Sequence, residues 1–578
     1  MNSVNAAAPG TIDRRTDPRG GLVTRVGLVL TAVGIASAAV DRRSLAGSTP
    51  DVPLAVGFGM FVGILLFASL RRPPRGLVWL ALGLVGLIYV MAAAELASSV
   101  LGMISYILFA LGATLFTAPH LRPLMVAAFA LWTPALWLFG PSEALAQLPA
   151  ELRIGAVVVL AFTVFAIADP RRVHPSDRLR RSGYGLLAIA CVAASMGRSL
   201  VVSSTGIAPG QTLAVLAAIA LPVLSYVKMR RETRELIVTG LALATFAFVG
   251  LGYIVGKGYH TDVVVAAHRA TELFVSGQNP YAVFDLPQAL ERFNLDPQLA
   301  THLENGSVVH TFNYPALAFL TLAPFVALGL QDVRWVYLIE TLLIAVIAIR
   351  QLRTAWRSMA LVTVVGNEII TRQWILAGID PAWALFLIVA WLLRRRHIIS
   401  AIVLGLAIAD RQPAWFVAPF FILAIAQRFG TREALRTLAI AALTAVLVNA
   451  PFLIGEPSRA IASILAPVLA PLVSGGVGLM RYGASDVGPA LPRLAYTALS
   501  LGAIAGLLFL LWKRPRSLAG APLVWPLLPL YLAWRSNQNY FAASPLFAFI
   551  ADDELAEDPD EAPEPGAPLS AREAGPAG

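Results

Sequence analysis

A single cysteine in 578 residues, Cys191, rules out an intrachain disulfide, and its place inside an apolar run argues against a cysteine-rich metal site. Charge is also scarce. Only 13% of residues are charged and 57% are hydrophobic, with a mean hydropathy of +0.72. That is more apolar surface than a soluble core can bury, which excludes an ordinary globular enzyme and leaves a multispanning membrane protein. Period-2 alternation is missing from the apolar runs, which are roughly 17 to 23 residues long, so the spans are helices rather than barrel strands. His260, His268 and His310 do not have zinc spacing, and no HExxH motif or carboxylate cluster occurs. No metal and no cofactor are expected. A small-residue cleavage site is missing too: the apolar run from Gly21 contains Arg25 and leads to Asp41-Arg42-Arg43, so it reads as a retained span.

What is present fits an all-α polytopic fold. Residues 1–20 read as a disordered cytoplasmic tail. A module at 21–235 holds about eight spans, near 21–40, 52–70, 77–96, 97–117, 122–140, 151–168, 184–206 and 211–228. Lys and Arg collect in alternate connections, with the largest cluster from Arg171 to Arg181, and put the N-terminus in the cytoplasm. A ninth span, about Leu236 to Val255, then delivers a polar stretch at 256–314 to the extracytoplasmic side. Further crossings are expected near 315–330, 335–350, 381–394, 398–410, 413–427, 435–455, 494–512, 521–535 and 540–550. Arg394 to Arg396 require an even number of crossings between Arg350 and Asp380, so two short or re-entrant helices are expected there. An acidic tail at 551–578 is expected to be disordered and cytoplasmic, like the N-terminus.

The polar stretch at 256–314 is the informative part. Its first half, Thr261 to Ser276, has the period of an amphipathic helix at the membrane surface, with Val264, Leu273 and Phe274 available to lipid or protein. At about 100° per residue Asp262 and Arg269 lie within roughly 20° of one another and Glu272 about 80° away. A carboxylate and a cation are therefore expected side by side at the mouth of a cavity, although solvated surface charges have the same pattern. The stretch turns at Ser276-Gly277-Gln278-Asn279-Pro280-Tyr281 and returns through His310-Thr311-Phe312-Asn313-Tyr314-Pro315.

These two motifs, with Ala377-Gly378-Ile379-Asp380, Gly405-Leu406-Ala407-Ile408-Ala409-Asp410-Arg411-Gln412-Pro413 and Asn537-Gln538-Asn539-Tyr540-Phe541 following in order, resemble the GT-C superfamily of polyprenyl-phosphate-sugar glycosyltransferases. The likeness is to the bacterial family 87 group of mannosyltransferase-like proteins and covers about 236–550, a GT-C-like core behind the N-terminal module. Two departures are visible. Arg411, preceded by Asp410, stands where the family usually has Lys, and eight spans precede a catalytic loop that the family places after its first span. The resemblance implies an inverting transfer of a sugar, mannose-like or other, from a polyprenyl-phosphate carrier to an acceptor hydroxyl on the extracytoplasmic face of the plasma (inner) membrane. By position it makes Asp262 the general base.

A base in reach of the acceptor hydroxyl takes its proton as the new C–O bond forms, and the departing phosphate needs cationic partners. Arg411 is the first candidate for that role, with Arg481, Arg535 and His310 as alternates, though each arginine can equally snorkel to an interface. Arg269, Glu272, Tyr281 and Tyr314 complete the expected substrate contacts. Asp380 reads either as a second acid of the cavity or as a cap before Pro381. Glu340 and Glu368 lie in or near spans, where they contact substrate or stabilise helix junctions. The expected partners are the lipid-linked sugar donor, a glycan or glycolipid acceptor and membrane lipids, with no nucleic acid. A transporter or flippase for a lipid-linked or amphiphilic solute is the competing reading, but the two matching halves such a carrier should have are not visible in the sequence.

Overall fold

The computed structural model describes scattered residues between 183 and 194 and then 209–224, 227–352, 354–367, 370–454, 456–473, 475–476, 491–513, 522–523 and 525–550. The spans expected from 21 to 168, most of that at 184–206, both tails, Glu368 and Arg481 lie outside the described residues. The described chain is mostly helical, as an all-α membrane protein should be. Three of its helices are long and apolar enough to cross a membrane: Arg231–Gly256, Thr431–Leu453 and Arg493–Lys513. Around them pack shorter apolar helices, among them Ala382–Leu392, His397–Asp410 and Pro413–Phe429. The His397–Asp410 and Thr431–Leu453 helices approach so closely that a methyl group at Gly405 would stand 2.5 Å from the Ala441 carbonyl oxygen. Only glycine permits this backbone contact.

Two stretches depart from regular helix. The crossing expected near 315–330 is broken into Leu317–Leu320 and Ala323–Ala327, because Pro324 has no N–H to continue the ladder. Between Arg350 and Asp380 the chain forms Thr354–Val365 and then a π-helical turn, Ile370–Leu376. π-turns widen the backbone and re-aim side chains, and this one turns Gln373 toward a cavity described below.

The polar stretch folds as a compact cap. Its helix Asp262–Val275 buries Val264, Val265, Ala267, Ala270 and Leu273. These residues pack on Phe312, Phe319 and Phe452, so the apolar face meets protein. Asn279 starts the next short helix by accepting from the Tyr281 amide and donates to the Phe452 carbonyl, which ties the cap to the Thr431–Leu453 helix.

One buried side chain fixes where this cap begins. Arg334, only 1% exposed, sits at the start of helix Arg334–Arg350. Its Nη2 donates to the carbonyls of Ile254 (3.0 Å) and Lys257 (2.6 Å), at the end of the Arg231–Gly256 helix, where carbonyls lack helical partners. Nη1 reaches Gly258 and Leu376, Asp332 holds the fork through both carboxylate oxygens, and the Tyr259 ring lies 5.3 Å beneath. Replacing a buried paired cation by an apolar side chain of similar length removes the donor that those backbone carbonyls share. Arg334→Met is expected to destabilise the protein by about 3 to 5 kcal/mol, read as a lowered thermal midpoint of the detergent-extracted chain.

Candidate functional site

Asp262 opens the cap helix, and its position is over-determined. Thr261 is extended and does not cap the helix with its side chain; its hydroxyl donates instead to the Ala377 carbonyl at 2.6 Å. The next residue, Gly378, has φ +66°, and a Cβ there would lie 2.6 Å from Val264 Cγ2. The turn after the π-helix is thereby pressed against the first turn of the cap helix. Across from it Thr301 donates both its amide, at 3.1 Å, and its hydroxyl to Asp262 Oδ2.

The carboxylate stands on the wall of a cavity of about 440 Å³. Amide and hydroxyl groups dominate the wall: Thr301, Asn313, Gln373, Gln412, Asn537 and Asn539, with the rings of Tyr314 and Tyr540. Arg535 is the cation among the described lining residues. Its backbone pairs in parallel with Gly475, a two-residue ladder that brings a late segment of the chain to the rim. A smaller cleft of about 140 Å³ adjoins, sharing Gln412, Pro467, Arg535 and Tyr540 and lined otherwise by mainly apolar groups such as Phe416, Leu501, Leu530 and Trp534. A polar chamber and an apolar cleft thus meet at a guanidinium.

The other expected site residues fall into three places. Tyr314 is on the cavity wall, where burial pushes its hydroxyl up to about 12 despite the nearby Arg411 guanidinium, so it remains a hydrogen-bond donor. Arg411 stands one layer behind: it is 2% exposed, with its guanidinium 4.4 Å over the Tyr314 ring and Nε 3.7 Å from Asp380 Oδ2. Asp380 is fully buried, is not among the lining residues of the cavity, and accepts from the Ala382 amide at 2.7 Å just ahead of the helix Ala382–Leu392, whose N-cap position is Pro381. Glu340 and Asp410 are buried within electrostatic reach of both.

Arg269, Glu272, Tyr281 and His310 are not on the wall. The expected neighbour of Asp262, Arg269, pairs with Glu272 at 2.9 Å, and Arg292 grips the same carboxylate with two hydrogen bonds. A helical wheel gives direction but not height, and seven residues separate Asp262 from Arg269 by about 10 Å along the axis. His310 contacts Asp285 at 2.6 Å on the surface. Tyr281 is buried and donates to the Tyr314 carbonyl at 2.6 Å, so it supports the wall from behind.

Thr301, Asn313, Gln373, Asn537, Asn539 and Tyr540 are among the cavity residues that the sequence does not single out as contacts. The polar-aromatic run at 537–541 carried a signal; Thr301, in a turn after a three-residue 3₁₀ helix, carried none. No family model, no curated protein and no solved structure matches this chain.

One histidine makes the cap sensitive to acid. Tyr259 Oη accepts from the Val333 amide at 3.0 Å and makes a second hydrogen bond with His268 Nδ1 at 2.9 Å. Burial lowers the His268 pKa below the ordinary 6.5, against the opposing pull of Glu272 and Asp332. The unfolded chain then takes up this proton before the folded one does. The contribution is present above 6.5 and is lost as pH falls below it toward the folded value. Thermal midpoints of the extracted protein should drop as pH falls below the ordinary histidine value of 6.5, and His268→Gln should flatten that dependence.

Proposed function

We propose that this chain is an integral-membrane inverting glycosyltransferase that moves a sugar from a polyprenyl-phosphate carrier to an acceptor hydroxyl at the extracytoplasmic surface. The observation that carries the reading is the pairing, on one cavity, of the Asp262 carboxylate with Arg535 at the junction to an apolar cleft. A donor with a sugar, a phosphate and an isoprenoid chain matches those three surroundings in that order. Amide side chains around a chamber of this size suit the many hydroxyls of a saccharide.

In the proposed reaction Asp262 accepts the proton of the acceptor hydroxyl while its oxygen attacks the anomeric carbon. The bond from that carbon to the phosphate oxygen breaks with its electron pair on oxygen, and a polyprenyl phosphate leaves. Arg535 is the cation placed to meet that charge. Arg411 acts on the same wall through Tyr314, on whose ring its guanidinium stacks. Its charge is already engaged by Asp380.

The test is sugar transfer by membranes supplied with polyprenyl-phosphate mannose and, separately, glucose, scored as consumption of the lipid-linked sugar. Asp262→Asn should insert normally and lose at least about 100-fold in rate; wild-type transfer by this variant would refute the base. Arg535→Met should raise the donor KM about tenfold. Movement of intact lipid-linked sugar across the bilayer, with no transfer, would favour the carrier reading instead.

A further inference from the structure

The two oxygens of Asp262 are not equivalent. Oδ2 takes two hydrogen bonds from one residue, the amide and the hydroxyl of Thr301, whereas Oδ1 has no hydrogen-bond partner among the described residues. Thr301 is itself held firmly. Asp296 caps the short helix Pro297–Leu299 before it, its own carbonyl accepts from the Val309 amide at 2.8 Å, and His302 pairs with Val308. The next residue along, Leu303, bridges to Leu472, and Leu472 and Thr301 both line the cavity. A donor pair mounted on such a braced turn fixes the carboxylate plane as well as its position.

We infer that Thr301 is the positioning residue of Asp262, presenting Oδ1 as the edge that receives the acceptor's proton. This rests on the transferase reading. As the acceptor O–H bond breaks, the proton goes to Oδ1, the freed electron pair forms the bond to the anomeric carbon, and the carbon–oxygen bond to phosphate gives its pair to the leaving group. Oδ2 stays bound to Thr301 throughout, so the carboxylate cannot rotate away from the attack line. General-base geometry depends on this: a base whose lone pair misses the hydroxyl by an ångström loses most of its effect.

Removing the hydroxyl while keeping the shape separates positioning from folding. Thr301→Val, Thr301→Ser and Asp262→Asn are compared with wild type in membranes supplied with polyprenyl-phosphate mannose and glucose, each variant checked for an unchanged gel-filtration profile after extraction. Thr301→Val should lower kcat about 10- to 100-fold with the donor KM within about twofold of wild type. Thr301→Ser, which keeps both donors, should restore kcat to within about threefold. Equal losses in the Val and Ser variants, or a raised KM with kcat intact, would overturn the inference, since either marks a general role in loop packing. Wild-type kcat in Thr301→Val beside an inactive Asp262→Asn removes the inference alone. Transfer by Asp262→Asn at the wild-type rate, or none by the wild-type chain, removes the function reading and the inference with it.

Discussion

A buried guanidinium is costly to desolvate, and the fold around the cap is arranged to answer that cost at Arg334. Its donors satisfy the carbonyls that end the Arg231–Gly256 helix, the last carbonyl of the π-helical turn, and the Asp332 carboxylate. The Ile254 carbonyl among them is buried and would otherwise lose that partner. The same side chain sets the height at which the chain leaves the first long helix, and so where Tyr259, Thr261 and Asp262 come to lie. A lysine has no fork with which to hold three segments at once. The packing of Gly378 against Val264 follows from that placement, since Arg334 Cγ is the next neighbour of the same glycine at 3.1 Å from the notional Cβ.

The two arginines near the cavity show how burial decides what a cation can do. Arg411 lies among Asp380, Asp410 and Glu340, so its field is spent inside the protein. Arg535 is mounted on two residues of extended backbone at a wall and faces space. Position in sequence favours the first, because it stands at the outer end of an expected span, where the family that the sequence resembles has its basic residue. The fold favours the second for any anion that enters from the cavity. The Tyr314 ring, which lines the cavity, carries the guanidinium of Arg411 on its face, and the Tyr314 carbonyl is held by Tyr281.

How much of this was legible in the sequence follows from the range of each interaction. Hydropathy revealed the long helices because lipid demands that every backbone group be satisfied within the segment. Periodicity revealed the cap helix to within a residue or so of Asp262–Val275. It left open what the apolar face meets, since lipid and aromatic side chains select the same residues, and the partner proved to be Phe312, Phe319 and Phe452. The apolar run at 315–330 reads as one crossing, and the break comes at Pro324 within it. Thr301 was beyond reach because its contact with Asp262 joins positions 39 residues apart, and a threonine in a turn is unremarkable alone. Periodicity puts Arg269 on the same side as Asp262 but not beside it, because projection on a wheel discards distance along the axis.

The ladder that joins Gly475 to Arg535 has a bearing on biogenesis. Asp262 and Thr301 leave the ribosome more than two hundred residues before Arg535, Asn537, Asn539 and Tyr540, which supply another part of the chamber wall. Until that segment arrives the chamber is open on one side, and its polar lining is hydrated rather than enclosed. Assembly of the compartment is thus tied to completion of the polypeptide, and a nascent chain stalled before residue 535 holds its acid in an unwalled cleft.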